Sequence, residues 1–352
     1  MSEPSTEIRL TALHSLRGAN YWSQRPVTRM DLTVGRYDEI SSADVPGVAD
    51  ALARAMPGLI EHRCSIGERG GFLQRLRRGT YAPHIIEHVA LELQAMAGCD
   101  VGYGKTRGGD EAGEYTLVFE HCHANAGLRA AARALEIVQQ AFASTLDDVD
   151  HAVREIRAIL DTPDTPPLRQ HVLCGITGGG PRHETRDEMA RRGLGDVELV
   201  VDVAPAYLLQ AGLPYARSEM AIILDADLSD VPARYRDPER ARQLVGVVAD
   251  CVSRDGIVIV PAKEWELQDY ARDRDCRVAI FATDDDITRR DKRVARAVAL
   301  VRDGRIALES FDRTTDGGAL HPDVPPTAQV TAALAMFTIE ELEPEQCQTV
   351  TG

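Results

Sequence analysis

Long apolar runs are missing from this 352-residue chain. Segments such as 199–201 and 220–224 are strand-sized, far short of the ~20 residues that a membrane span needs. A membrane-spanning protein is therefore not expected. Residues 1–9 carry neither a basic nor an apolar leader segment, so export is not indicated and a cytoplasmic location is expected. The seven cysteines, at positions 64, 99, 122, 174, 251, 276 and 347, form no C-x-x-C pair. An odd, scattered set argues against a disulfide framework, and the cysteines read as reduced thiols. An excess of basic charge is also missing: 40 Lys and Arg face 55 Asp and Glu, a net charge of −15. Such a chain repels a phosphate backbone unless its cations cluster, and the one basic cluster, Arg75, Arg77 and Arg78, is short. Nucleic acid is excluded as an expected partner.

What is present is a globular composition, 44% hydrophobic and 27% charged, in a chain long enough for two domains. Asp161-Thr-Pro-Asp-Thr-Pro-Pro-Leu168 brings three prolines between two periodic regions and reads as an extended connection. The expected domains are 1–162 and 168–352. In the first, 48–55 and 84–97 have helical apolar spacing, 116–120 is strand-like, and 126–160 reads as a long helix with a possible break near Asp147. In the second, apolar segments at 171–176, 198–203, 220–224, 256–260 and 277–281 are separated by helix-length stretches, which implies a mainly parallel sheet. The expected class is α/β: an α+β domain followed by a mainly parallel α/β sheet domain. From Thr314 onward a Gly-, Pro- and Thr-rich stretch leads to a short helical piece and an acidic tail.

The sharpest local signal is His84-Ile-Ile-Glu87-His88. Residues four apart share a helix face, so both imidazoles can reach one ion, with Glu87 beside them at i+3 from His84. This is the H-x-x-E-H arrangement of inverzincins, and Pro83 suits the first turn of its helix. Neutral imidazoles bind zinc without cancelling its charge, a third acidic ligand leaves one position open, and the remaining carboxylate, Glu87, can take a proton from water. The competing reading is a plain amphipathic helix face. Glu120, leaving the strand-like segment, is the favoured third ligand, with Glu92, His121 and His123 as alternatives. Cys64 and Cys122 are less favoured, because lone cysteines are usually buried small residues.

Taken together, Leu16-Arg-Gly-Ala-Asn-Tyr-Trp-Ser23, Glu61-His-Arg-Cys-Ser65, Arg69-Gly-Gly-Phe72, Gly79-Thr-Tyr81, His84 to Gln94 and Gly102-Tyr-Gly-Lys-Thr-Arg107 resemble the N-terminal domain of cyanophycin synthetases, over about residues 8–160. Those enzymes build an aspartate backbone decorated with arginine, using ATP-grasp and Mur-ligase-like domains. In some of them the N-terminal domain is a hydrolytic metal site that cuts polymer into primers. The resemblance implies that the H-x-x-E-H segment is the metal centre; with Glu120 as the favoured third ligand beside His84 and His88, it is expected to hold one zinc per chain, with Glu87 as the catalytic base. Arg69 and Arg107 are candidates for orienting substrate carboxylates, although salt bridges explain them equally well. Trp22 and Tyr21 are candidate groove residues, with core packing as the alternative.

No ATP-grasp segment is recognised between Leu160 and the second domain. That domain resembles a Mur-ligase core by strand order and by the loop Thr177-Gly-Gly-Gly-Pro-Arg182-His-Glu. In the family's phosphate loop, T-G-T-N-G-K-T-T, lysine contacts phosphate and a hydroxyl holds magnesium. Here Arg182 stands at the lysine position, Pro181 replaces a glycine, and His183 and Glu184 replace the hydroxyls. Asp202 aligns with the family's metal-binding acid, and Asp225-Ala-Asp-Leu-Ser-Asp230 lacks the later histidine. A degenerate ligase-like domain without ATP is expected. The overall expectation is a zinc-dependent peptidase acting on cyanophycin or a related polymer, as a homo-oligomer. The alternative is a non-catalytic pseudo-ligase that binds the polymer or an active synthetase.

Overall fold

The computed structural model describes residues 3–164, 168–310 and 313–346. The chain divides into two compact units, one of residues 1–17 and 22–167, the other of residues 18–21 and 168–352. Among the described residues no helix is long and apolar enough to cross a membrane.

The first unit contains strands β1 (Arg9–Leu16), β2 (Val27–Thr33), β3 (Gly104–Gly108) and β4 (Glu114–Glu120). Its helices are α1 (Pro4–Glu7), α2 (Val48–Ala55), α3 (Gly71–Arg78), α4 (Ala82–Ala97), α5 (Ala124–Phe142) and α6 (Asp150–Leu160). The strands form an antiparallel sheet in the order β1-β2-β4-β3. Side chains alternate across a strand. Met30, Leu32, Leu117 and Phe119 therefore join one core with Ile85, Ile86 and Val89 of α4 and the alanines of α5, while Val27 and Val118 pack with Leu16, Trp22 and Tyr103 in a separate cluster. The expected helix at 48–55 and strand at 116–120 are present as α2 and within β4. The long helix expected at 126–160 is broken, at the place near Asp147 that the sequence allowed, into α5 and α6. Asp148, just before the N-cap Val149 of α6, accepts the Asp150 N–H at 2.9 Å in a local turn that separates the two helices. Strands β1 to β3 carry no apolar alternation strong enough to announce them. β3 in particular, Gly-Lys-Thr-Arg-Gly, is a strand because β4 pairs with it.

Cys99 and Cys122 are joined in a disulfide, contrary to the expectation of reduced thiols throughout. The pairing connects the turn after α4 to the turn after β4, two points 23 residues apart that only the folded chain brings together.

His121, just after β4, is buried, with Nδ1 3.1 Å from Thr28 Oγ1. Burial, more than any neighbouring charge, pushes its pKa down to about 4. Unfolding releases it to its ordinary value near 6.5. Its neutral form therefore costs nothing above pH 6.5, and the folded unit loses stability as pH falls from there toward 4. The expected loss from this residue is about 2 kcal/mol at pH 5. Urea unfolding of a Trp265→Phe variant, in which Trp22 reports the first unit, should show this slope, and adding His121→Gln should remove that part of it.

The second unit contains β5 (Arg169–Thr177), β6 (Val200–Asp202), β7 (Tyr215–Ile223), β8 (Val252–Pro261), β9 (Arg277–Phe281), β10 (Ala295–Arg302), β11 (Arg305–Ser310) and β12 (Thr314–Ala319). Its helices are α7 (Arg182–Arg191), α8 (Pro205–Ala211), α9 (Pro238–Gly246), α10 (Trp265–Arg272), α11 (Arg289–Val294) and α12 (Pro326–Gln346). The sheet order is β12-β11-β10-β9-β8-β7-β5-β6. Neighbours from β6 to β10 run parallel, and β11 and β12 add an antiparallel edge. The mainly parallel sheet and the α/β class are as expected. The short terminal helix is instead the 21-residue α12, whose Val330, Leu334 and Phe337 pack against Ile176, Met220 and Ile259. Its apolar residues occupy successive positions rather than one stripe, which suits a buried helix and hides its length in the sequence. The end of the acidic tail, 347–352, lies outside the described residues.

Candidate metal centre

Helix α4 carries His84, Glu87 and His88. Tyr81 enters in an extended conformation, Pro83 occupies the first turn, and Gly98 ends the helix at φ 110°. Thirteen of its sixteen residues are buried, so each polar side chain on it requires a partner. Thr80 Oγ1 lies 2.9 Å from His84 Nδ1. The ring of His88 stacks on Phe72 with centroids 3.9 Å apart. Thr106 Oγ1 on β3 donates to Glu87 Oε2 at 2.5 Å. A side chain at position 104 would collide with Glu87, since a Cβ there would sit 2.6 Å from Oε1, so Gly104 makes the room that the carboxylate occupies. Burial raises the Glu87 pKa to about 7, against the pull of Thr106 and Arg75. Burial likewise holds His84 down to about 4 and His88 to about 2, so both imidazoles are neutral, the form that binds a metal.

Cys64 completes the arrangement. It sits at φ 52° at the start of a single 3-10 turn, with Sγ 3.4 Å from His84 Nε2. Among the described residues, Cys64, His84 and His88 form a group whose ligand atoms all lie within 4.8 Å of one another. The 3.4 Å between Cys64 Sγ and His84 Nε2 is about the edge of a tetrahedron with zinc–ligand bonds of ~2.0–2.3 Å, and a thiol with two neutral imidazoles is a donor set that zinc takes. Glu120, expected as the third ligand, is not brought to the histidines. Its carboxylate accepts the backbone N–H groups of Gly102 and Tyr103 at 3.0 and 3.2 Å. Glu92 is bonded to His62 at 3.0 Å. His121 faces Thr28, and His123 Nε2 lies 3.2 Å from Thr162 O. Cys64, in the sequence a less favoured ligand than Glu120, is the cysteine brought to the histidines; its left-handed backbone and its approach to His84 belong to the folded chain.

The three side chains lie in a cleft of about 940 Å³ that is also lined by Arg63, Arg75, Lys105, Tyr103 and Met96. Residues 29–143 match the family model described as the cyanophycin synthase-like N-terminal domain. That match lies within the first unit. The chain resembles the cyanophycin synthetase of Synechocystis sp., 42% identical over 152 residues, and that of Crocosphaera subtropica, 44% identical over 161 residues. These alignments take in 42% and 44% of this chain but 17% and 16% of the relatives, so the chain spans about a sixth of their length. Solved structures similar to the chain include MurF of Acinetobacter baumannii, with 12% identity, a TM-score of 0.31, and 48% of this chain and 43% of that one covered. Another is the MurF ligase of Thermotoga maritima in complex with ADP, with 11% identity, a TM-score of 0.34, and 50% and 46% covered.

Within the first unit, the expected substrate residues Arg69 and Arg107 make their contacts with groups other than the histidines. Arg69 is exposed and forks onto Glu61 at 2.6–3.0 Å. Arg107 stacks over Trp22, 5.2 Å from the ring centroid. The guanidinium groups that line the cleft are those of Arg63 and Arg75, and Arg75 Nη1 donates to Ser65 Oγ at 2.6 Å. In the second unit the glycine loop turns from β5 into α7. Gly179 N–H donates to Asp225 Oδ1 at 2.8 Å, and Arg182 folds back to donate to Gly178 O. Asp202 is held by His183 at 2.7 Å and Arg186 at 3.0 Å.

Proposed function

We propose that the first unit is a zinc-dependent peptidase hydrolysing cyanophycin or a related aspartate–arginine polymer, with Cys64, His84 and His88 holding one zinc per chain. The observation that carries this reading is the convergence of those three donors, with a buried carboxylate on the same helix, in an open cleft. The similarity of the domain to cyanophycin synthetases supports the polymer as substrate. A bound zinc would supply Lewis acidity and an acidified water. Glu87, a carboxyl group held near neutrality by burial, would serve as the base that takes up a proton and the acid that returns it to the leaving amine. Arg63, Arg75 and Lys105 give the cleft three cations for the backbone carboxylates of an aspartate-rich chain.

The second unit is, in this reading, a ligase-like sheet without ATP chemistry. An arginine stands at the lysine position, and the loop N–H that would meet phosphate is bonded to Asp225. Heat of ATP binding in a calorimetric titration would restore the ligase reading. Metal analysis and polymer cleavage test the peptidase together. About one zinc per chain is expected in the wild type, lost in His88→Ala, with shortening of cyanophycin by wild type alone. A metal-free protein that binds the polymer without cutting it would replace the peptidase by a pseudo-ligase.

A further inference from the structure

His62, to which the sequence assigns no role, bridges two residues of α4, one of them a donor of the centre. It follows the 3-10 turn Pro57–Glu61, and it is bonded at both ring nitrogens. His62 Nε2 lies 3.0 Å from Glu92 Oε2, and His62 Nδ1 lies 2.8 Å from His88 Nδ1. Glu92 and His88 are buried one turn apart on α4. Gly58 admits this contact, because a Cβ there would fall 2.0 Å from Glu92 Oε1 and 2.7 Å from Cδ.

The proton positions along this chain follow from donor and acceptor chemistry. A carboxylate only accepts, so His62 Nε2 carries the hydrogen between them. In a neutral ring that leaves His62 Nδ1 as an acceptor, and the 2.8 Å contact then requires the hydrogen on His88 Nδ1. We infer that Glu92 and His62 form a relay that fixes His88 as the Nδ1–H tautomer and leaves its Nε2 bare for a metal ion. His62 is thus a positioning residue, acting through His88 as outer partners of metal-bound imidazoles do. His84 differs in one respect. Its Nδ1 meets the hydroxyl of Thr80, which either donates or accepts, so no tautomer is imposed there. The consequence for zinc affinity rests on the proposed metal reading; the tautomer itself does not.

The test is a two-bond proton–nitrogen correlation spectrum of the metal-free full chain labelled with ¹⁵N-histidine, paired with zinc titration. Wild type is expected to show His88 protonated at Nδ1 and His62 at Nε2. Glu92→Leu and His62→Phe should remove the His88 signature and weaken zinc binding by about 10–100-fold. Glu92→Gln, whose amide oxygen still accepts, and His62→Gln, whose amide oxygen can accept from His88, should stay nearer wild type and show that the fold survives. His88 protonated at Nε2 in wild type overturns the relay, as does His62→Gln binding zinc no better than His62→Phe. The expected tautomers without zinc uptake would leave the relay standing and sink the metal reading.

Discussion

Glu87→Gln is expected to slow polymer cleavage by about 10²–10⁴-fold while leaving zinc content unchanged. The substitution is close to isosteric. The amide oxygen can still accept from Thr106 Oγ1, the space left by Gly104 is still filled, and neither histidine loses a contact. What disappears is a group able to hold a proton and release it. The buried carboxyl, raised to about 7, is poised to do both near neutral pH, and an amide does neither. Single-turnover cleavage of a defined polymer, read beside metal analysis, separates the outcomes. Wild-type rates in the variant would show that another base operates. Loss of zinc would make Glu87 a ligand.

Asp291→Ala is expected to destabilise the second unit by about 3 kcal/mol or more. Asp291 is fully buried at the start of α11. Its Oδ1 accepts the Lys263 N–H at 3.2 Å and Gln268 Nε2 at 2.8 Å; its Oδ2 accepts the Thr288 N–H at 3.0 Å and hydroxyl at 2.6 Å. Alanine would leave these donors without their acceptor in a dry interior and would remove the capping box of α11. Burial raises the Asp291 pKa, but the donors from Thr288, Gln268 and Lys263 outweigh it and hold the carboxyl below its ordinary value. Its contribution is accordingly complete above about pH 3.8 and is lost as pH falls through the lower folded value. Trp265 on α10, with Arg290 stacked over it, reports this region by fluorescence in a Trp22→Phe background. An unchanged urea midpoint in Asp291→Ala would show that water replaces the carboxylate at no cost.

The sequence by itself determined the features that depend on near neighbours in the chain. The spacing His84-Ile-Ile-Glu87-His88 places three functional groups on one turn of α4, because a helix repeats every 3.6 residues wherever it is packed. Apolar runs separated by helix-length stretches likewise imply the parallel order of β5, β7, β8 and β9, because parallel neighbours need a crossover between them. Tertiary structure alone decided which distant groups meet these elements. Glu120 and Cys64 were both available as third donor. Glu120 was taken by the backbone N–H groups of Gly102 and Tyr103, whereas a left-handed turn at Cys64 carried its thiol to His84. The Cys99–Cys122 pair, the strand β3 and the contact of His62 with Glu92 arose in the same way. Each depends on two segments packed together, and the local pattern of either one does not record its partner.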